Sequence, residues 1–476
     1  MWPFGHWSGP FIAYIMALGH HGLAGTPGGP EMDDENEGVS GFMRPRSVCL
    51  ASAIALLPMA ALAQAGPSAA PVRAAPQPPA AAPAHDPMAP LPPAADAPPV
   101  VEELPPPLWQ VADAKDLLAF IAGIGVEGLD PNDYDPAGLT LAMRSGDPMV
   151  LARAATERFN KVSSDLAFGH VRGDDREAWH IVDKDLDDAR QRQMLEAALA
   201  THRVPQVLQT LLPAHPQYAS LKNALALADK ADTAKINRVR LNMDRWRWLP
   251  RELGDKYIIV NVPAFYATLV ENGVTRWKHR AIAGATKTPT PQLSAMATGV
   301  ILNPWWEVPT SISREVAGKQ GFVAVKGKDG KVQRWRQPPG PTNALGQLKF
   351  VMYNPHNIYL HDTSARSRFT SRMRALSHGC IRTEHVLDLA TELLGDDNGE
   401  WTPERIQKAL DSKKSVEAKF VKPVPVYIVY FSSAALNDGK IVDYQDLYHR
   451  DGKVLAALVD GQTRGGKKAK TETAAK

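Results

Sequence analysis

Between residues 108 and 235 the apolar positions recur with a helical period. Val111, Ala114, Leu117, Leu118 and Ile121 share one face, and Leu151, Ala154, Ala155, Phe159, Val162 and Leu166 share another. The stretch GLDPNDYDPAGL, 128–139, breaks the two apart, and further helices are predicted over 189–201, 206–212 and 217–231. After RVRLNMDRWRWLP, 238–250, the period falls toward two. YIIVNVP and FYATLV, a turn at Asn272-Gly273, then VTRWKHRAIAG read as strands with a hairpin. GVILNPWWEVP, 299–309, is a strand running into a Trp-rich corner, and 310–348 read as an inserted loop or lid. LKFVMY, the NPHN turn and IYLH predict a second hairpin with His361 at a strand end. Thr383 is placed to cap a helix through Val386, Leu389, Ala390 and Leu393, and PVPVYIVYFSS with the region around GKIVDYQDLY predicts a closing strand pair. The fold class is therefore α+β and multidomain. A helical support domain over 108–236 precedes a β-rich mixed-sheet domain over 237–456, which carries an insertion at 305–348.

The ends of the chain follow other rules. Residues 1–42 show neither period and read as a misassigned N-terminal extension. From Met43, two arginines, an apolar run and small residues at Ala61 and Ala63 read as a signal peptide over 43–65. The run falls short of the ~20 residues that span a membrane and contains Pro58, so no stable membrane anchor is expected after cleavage. Residues 66–107 are Pro/Ala-rich and too poor in burying side chains to fold, and 457–476 read as a disordered tail. Most of the chain's 40 prolines lie early, so they describe a linker rather than a fold. A net charge of +3 gives no argument for nucleic acid. The chain has two cysteines, and Cys49 lies within the signal, which leaves Cys380 as a lone thiol in an exported protein.

A nucleophilic cysteine needs its thiolate favoured and donors for the oxyanion it creates. SHGCIR, 377–382, offers both. Gly379 removes a side chain beside Cys380, so backbone N–H groups can converge on a tetrahedral oxygen. The helix predicted near Thr383 presents its positive end, and Arg382 offers a guanidinium for a carboxylate. His361, separated from Ser377 by fifteen intervening residues, is the expected base, because His378 lies two residues before the nucleophile and points elsewhere. A buried structural cysteine is the competing reading of any single thiol. A zinc set among His356, His361, His378, Cys380 and His385 lacks a CxxC or HxxxH pair, so no metal and no cofactor are expected. His170 and His180 read as surface or packing residues. Arg366, Arg368, Arg372 and Arg374 read as a solvated basic loop, with contact to an anionic substrate as the alternative.

IYLHDT, the loop and SHGCIR together resemble the active-site signature of the YkuD-type L,D-transpeptidases. NMDRWRWLP, NPWWEVPTSI and RQPPGPTNALGQLKF resemble its large multidomain, YcbB-like subgroup, and GLDPNDYDP and DLAFGHVRG are similar to that subgroup's scaffold region. The likeness covers 108–455. It implies a periplasmic enzyme acting on peptidoglycan stem peptides, a donor tetrapeptide and an acceptor amine, to form 3→3 cross-links. By position, Cys380 is the nucleophile, His361 the general base and acid, and Gly379 a backbone oxyanion donor. Arg382, Ser377, His378, Tyr353 and Trp306 fall on substrate-binding positions, and Trp305, Trp306 and Trp335 on a capping region over 305–348. The resemblance also implies acylation by carbapenems. One departure is that the subgroup's peptidoglycan-binding module has no room between the scaffold and RWRWLP. An L,D-carboxypeptidase or other hydrolase is the alternative within enzymes, and a non-catalytic wall-binding protein the alternative outside them.

Overall fold

The computed structural model describes residues 105–459 apart from 183, 397–399 and 437–439. The extension, the signal peptide, nearly all of the linker and most of the tail lie outside the described residues. The helical part comprises α1 (Val111–Gly123), α2 (Pro136–Arg144), α3 (Pro148–Phe168), α4 (Asp188–Thr201), α5 (Val204–Gln209), α6 (Pro216–Leu227) and α7 (Thr233–Trp246). Local chemistry sets their ends. Asp147 caps α3 by accepting from the N–H of Met149 at 2.8 Å, Pro148 follows at the first turn, and the helix stops at Gly169. Ala114, Leu117 and Ile121 of α1 pack against Leu151, Ala155, Phe159, Val162 and Leu166 of α3 in one core, while Val111 stays outside it, 46% exposed.

The sheet part contains β1 (Lys256–Asn261), β2 (Tyr266–Glu271), β3 (Val274–Gly284), β4 (Leu293–Leu302), β5 (Trp306–Glu307), α8 (Ser313–Val316), β6 (Val323–Lys326), β7 (Val332–Gln337), β8 (Leu348–Met352), β9 (Leu360–His361), β10 (Ala375–Ser377), β11 (Ile381–Thr383), α9 (Val386–Gly395), α10 (Pro403–Asp411), β12 (Val416–Val429), β13 (Ser433–Ala435), β14 (Ile441–Asp443) and α11 (Asp451–Val459). Nine strands form a mixed sheet in the order β10-β3-β11-β9-β8-β4-β12-β1-β2, and β2 also pairs with β3, so the ladder closes on itself. Asn272 and Gly273 both take positive φ, 49° and 76°, as the two-residue hairpin between β2 and β3 requires. Strand β12 is longer than its PVPVYIVYFSS core. It slips register between Lys419 and Val424, where Pro423 and Pro425 cannot donate to the ladder.

Helix α7 spans residues 236 and 237, so the helical and sheet parts share an element. Two expectations need correction. The closing strand pair is not one: β12 lies between β4 and β1, and the GKIVDY region instead pairs with β13 as a separate hairpin. Thr383 caps nothing. It ends β11, and α9 begins only at Val386 after His385 takes a left-handed φ of 50°.

The 305–348 insertion is a small unit of its own. β5, β7 and β6 form a three-stranded sheet, and Val308, Ile312 and Val316 make a private core with Trp306, Phe322 and Trp335.

Helices α6 and α7 dock on β1, β2 and β12 through one continuous cluster that includes Tyr218, Leu221, Val239, Met243, Trp246, Tyr257, Val429 and Phe431. The RWRWLP phrase lies in this seam. Asp244, fully buried, accepts from the N–H of His170 at 2.6 Å and from Trp248 Nε1 at 3.0 Å. Arg247 donates to Tyr218 Oη at 2.7 Å, and Tyr218 donates to Glu127 Oε2 at 2.8 Å. Arg245 reaches Asp451 at the start of α11 at 2.7 Å.

Candidate active site

Sheet register builds the site. β8 alternates, with Leu348 and Phe350 in the core and Lys349 between them facing the other way. Leu360 and Ile381 are likewise fully buried and pair directly in the parallel β9–β11 ladder, which leaves His361 and Arg382 paired on the opposite face. Lys349 pairs with His361 from the β8 side. One row across three strands therefore reads Lys349, His361, Arg382. Cys380 lies just ahead of β11 beside Tyr359, whose carbonyl accepts the Ile381 N–H at 3.0 Å. By sheet geometry, the diagonal from Cys380 to His361 is about 7–8 Å.

The nucleophile loop is tied down from several sides. Ser377 Oγ donates to the Cys380 carbonyl at 2.6 Å and accepts the Gly379 N–H at 3.1 Å. The Gly379 carbonyl accepts from Thr290 Oγ1 at 2.7 Å. Gly379 holds φ 116°, and a Cβ there would stand 3.2 Å from Ile358 Cδ1, so glycine answers both strain and space. In this structure the Gly379 N–H donates to Ser377 Oγ, and Ser377 is a buried loop brace.

Cys380 donates to the Asn357 carbonyl at 3.6 Å. Asn357 is presented by the NPHN turn, where Asn354 accepts the Ile358 N–H at 3.1 Å and donates to the Ile358 carbonyl at 2.7 Å. Burial pushes the Cys380 thiol up, against opposition from the Tyr359 N–H and hydroxyl, Lys349 and Arg382. The resting group is a thiol, not the thiolate the sequence suggests, because desolvation outweighs the cations and the helix start lies farther on.

His361 is held as neutral imidazole. Burial first, then Arg382, lowers its pKa to about 3 from the ordinary 6.5. Its Nδ1 bonds to the Asp362 carbonyl, which places the proton on Nδ1 and leaves Nε2 as the basic nitrogen. Asp362 points the other way, to Arg366 at 2.8 Å and the Gln347 N–H at 2.9 Å.

Two residues at the site carry no sequence signal of their own. The Tyr359 side chain lies between Cys380 and Trp306 of β5 and interacts electrostatically with both, so the insertion reaches the nucleophile through one tyrosine. Lys349 lies over the Tyr359 ring, with Nζ 5.1 Å from its centroid. Tyr353 is 92% exposed and faces solvent; the tyrosine at the sulfur is Tyr359. His378 turns toward the insertion, with Nε2 3.6 Å from Glu315. Trp305 lies under Arg336 and Trp335 sits in the insertion's core, so of the three tryptophans Trp306 is the one that meets Tyr359. Arg374 donates to the carbonyls of Ala281 and Phe265 at 3.2 and 3.1 Å, a structural use of one loop arginine. His279, Glu384 and His385 bring one ligand atom each within 4.8 Å of one another, although Glu384 also faces Arg280 at 3.7 Å.

A sheet that sets a cysteine, a neutral histidine and an arginine on one face, behind a helical scaffold, belongs to a defined class. Residues 255–426 match the family model of the YkuD L,D-transpeptidase catalytic domain and residues 105–225 that of the scaffold domain. The catalytic part of this chain is an L,D-transpeptidase domain of the YkuD family. Among known proteins the chain is similar to a Haemophilus influenzae protein named "Putative L,D-transpeptidase", with 30% identity over 47% of this chain and 50% of that one. The chain thus spans about half the length of the curated relative it matches. Solved structures it resembles include an Enterococcus faecium L,D-transpeptidase, 13% identical over 38% of this chain and 52% of that chain with a TM-score of 0.21. Another is L,D-transpeptidase 3 from Mycobacterium tuberculosis with a faropenem-derived adduct, 12% identical over 37% and 60% with a TM-score of 0.20. The assignment rests on the family models.

Proposed function

We propose that this protein is a periplasmic peptidoglycan L,D-transpeptidase that makes 3→3 cross-links through a Cys380 thioester. The observation that carries the reading is the single face holding Cys380, Tyr359, His361 and Arg382. Because the thiol and the imidazole are both neutral at rest, the proton leaves sulfur as the carbonyl is attacked. His361 Nε2 takes it while Sγ bonds to the carbonyl of the L-centre of the stem's diamino acid. The Cys380 N–H is the backbone donor for the oxyanion. Collapse of the tetrahedral species breaks the bond to the terminal D-alanine, whose amine leaves with the proton from His361. The acceptor amine then attacks the thioester, gives its proton to His361, and the thiol is restored as the new amide forms. Tyr359, donating to sulfur, stabilises the charge that develops there. The insertion, with Trp306 at the tyrosine, excludes water so that an amine outcompetes hydrolysis.

The test is incubation of the full chain with tetrapeptide-bearing disaccharides and mass spectrometry of the products. A cross-linked dimer with loss of D-alanine supports the reading. Tripeptide monomer alone moves the assignment to an L,D-carboxypeptidase, and unchanged substrate removes both. Cys380→Ala must show neither product, and meropenem must add its mass to the wild type alone.

A further inference from the structure

Lys349 and Arg382 flank His361, one strand away on each side, on the face that carries the nucleophile. Strand spacing puts their Cα atoms about 10 Å apart. Both side chains are part-buried, and Arg382 Nε is buried with no hydrogen-bond partner. Among the described residues neither has a carboxylate within ion-pair distance. The nearby acids are committed elsewhere: Glu307 to Arg334 at 3.2 Å, Glu384 to the Arg280 side, and Asp362 to Arg366 at 2.8 Å on the opposite face. Burial disfavours both charged forms, with only the more distant Glu307 and the Cys380 sulfur offsetting this, so a carboxylate arriving during function would be favoured there.

We infer that Lys349 and Arg382 form a receptor for a carboxylate borne on the same carbon as the reacting amine. The inference rests on the transpeptidase reading above. In the first half-reaction that carboxylate belongs to the departing D-alanine, one residue beyond the scissile carbonyl. Cys380 to Arg382 is two residues along a strand, about 6.6 Å, which suits that reach. In the second half-reaction the acceptor must occupy the place the leaving amine vacated, because the two steps are the same exchange run in opposite directions. An acceptor amine that shares its carbon with a carboxylate, as at the distal centre of a diamino diacid, presents the same pair of groups. The receptor therefore selects both the donor's end and the acceptor's class, and Lys349 is a specificity residue.

The experiment measures Cys380 acylation by intact mass, using matched tetrapeptide donors that end in D-alanine or D-alaninamide. Wild type is expected to favour the acid by tenfold or more. Lys349→Met should cut that ratio severalfold and Lys349→Arg should keep it; a ratio is insensitive to partial misfolding. The thioester's partition to acceptor amines is read in the same mixtures, with a diamino diacid preferred over an amine lacking the adjacent carboxylate. Equal rates for acid and amide in wild type, or an unchanged ratio in Lys349→Met, overturn the receptor and leave the enzyme assignment standing. No acylation by either donor removes the assignment and the receptor with it.

Discussion

The seam between helices and sheet and the face around Cys380 both bury charge, but they treat it differently. In the seam, Asp244 accepts from two backbone amides, an indole and Arg247, and Arg247, Tyr218 and Glu127 form a linked set. At the site, neither Lys349 nor Arg382 has a carboxylate within ion-pair distance among the described residues, and His361 is left neutral between them. Satisfied charge fixes how the two parts meet. Unsatisfied charge is an opening for a substrate. Burial alone does not separate a structural ion from a functional one; the presence of a partner does.

The sharpest break of this contrast is His361→Gln, which leaves the fold but removes the base. Turnover should fall by about 10²–10⁴-fold. The same variant sharpens the electrostatic account. In wild type the unfolded chain binds a proton as pH falls through 6.5 while folded His361 stays neutral down to about 3, so its contribution to stability is present above pH 6.5 and is lost on acidification. Melting temperature against pH should therefore slope less steeply in His361→Gln than in wild type across that window. His215, held down to about 4 by burial, has the same sign and contributes to the slope that remains, together with His180 and His279, which burial also lowers.

Next in size is Asp244→Ala. Removing the acceptor strands Arg247 and three N–H donors, and should cost about 3–5 kcal/mol in denaturant unfolding, with specific activity of the folded fraction unchanged. Arg382→Met should show the opposite pattern: stability equal or higher, since a desolvated cation is gone, and donor turnover at least about tenfold lower. If Arg382→Met destabilised as Asp244→Ala does, the contrast between the two regions would fail. Tyr359→Phe is the smallest change. It removes the hydroxyl that interacts with the sulfur, an effect of about 1 kcal/mol, and should slow acylation about fivefold by stopped-flow with a carbapenem.

Much of the fold was legible because it is local. Asn272-Gly273 specifies its own hairpin, and the spacing in α1 and α3 specifies their buried stripes. Cys380 and His361 were legible as chemistry because their neighbours in sequence carry the signature. What escaped depends on register. Lys349 and Tyr359 become site residues only when β8, β9 and β11 pair, and nothing in LKF or NIYLH marks which face will meet a cysteine. Tyr353, equally plausible in sequence, falls beyond the end of β8 and points to solvent. The alternation in β8 was a usable clue: Lys349 between two core residues had to lie on the face of His361. Helix α7 carries no clear helical stripe in the sequence, because its buried Asp244 and Arg245, like Arg247 just beyond its end, look polar until their partners, far away in sequence, are in place.

Helices α6 and α7 are joined by a short connection in which residues 229–235 are all exposed, with Asp229 and Asp232 closing the turn on their own backbone neighbours. The contacts between α7 and the sheet part begin later, with the Arg238–Asp443 pair at 3.7 Å and the apolar cluster from Val239 onward. The turn therefore lies outside the buried contacts of the seam, and lengthening it leaves the residues that form those contacts in place.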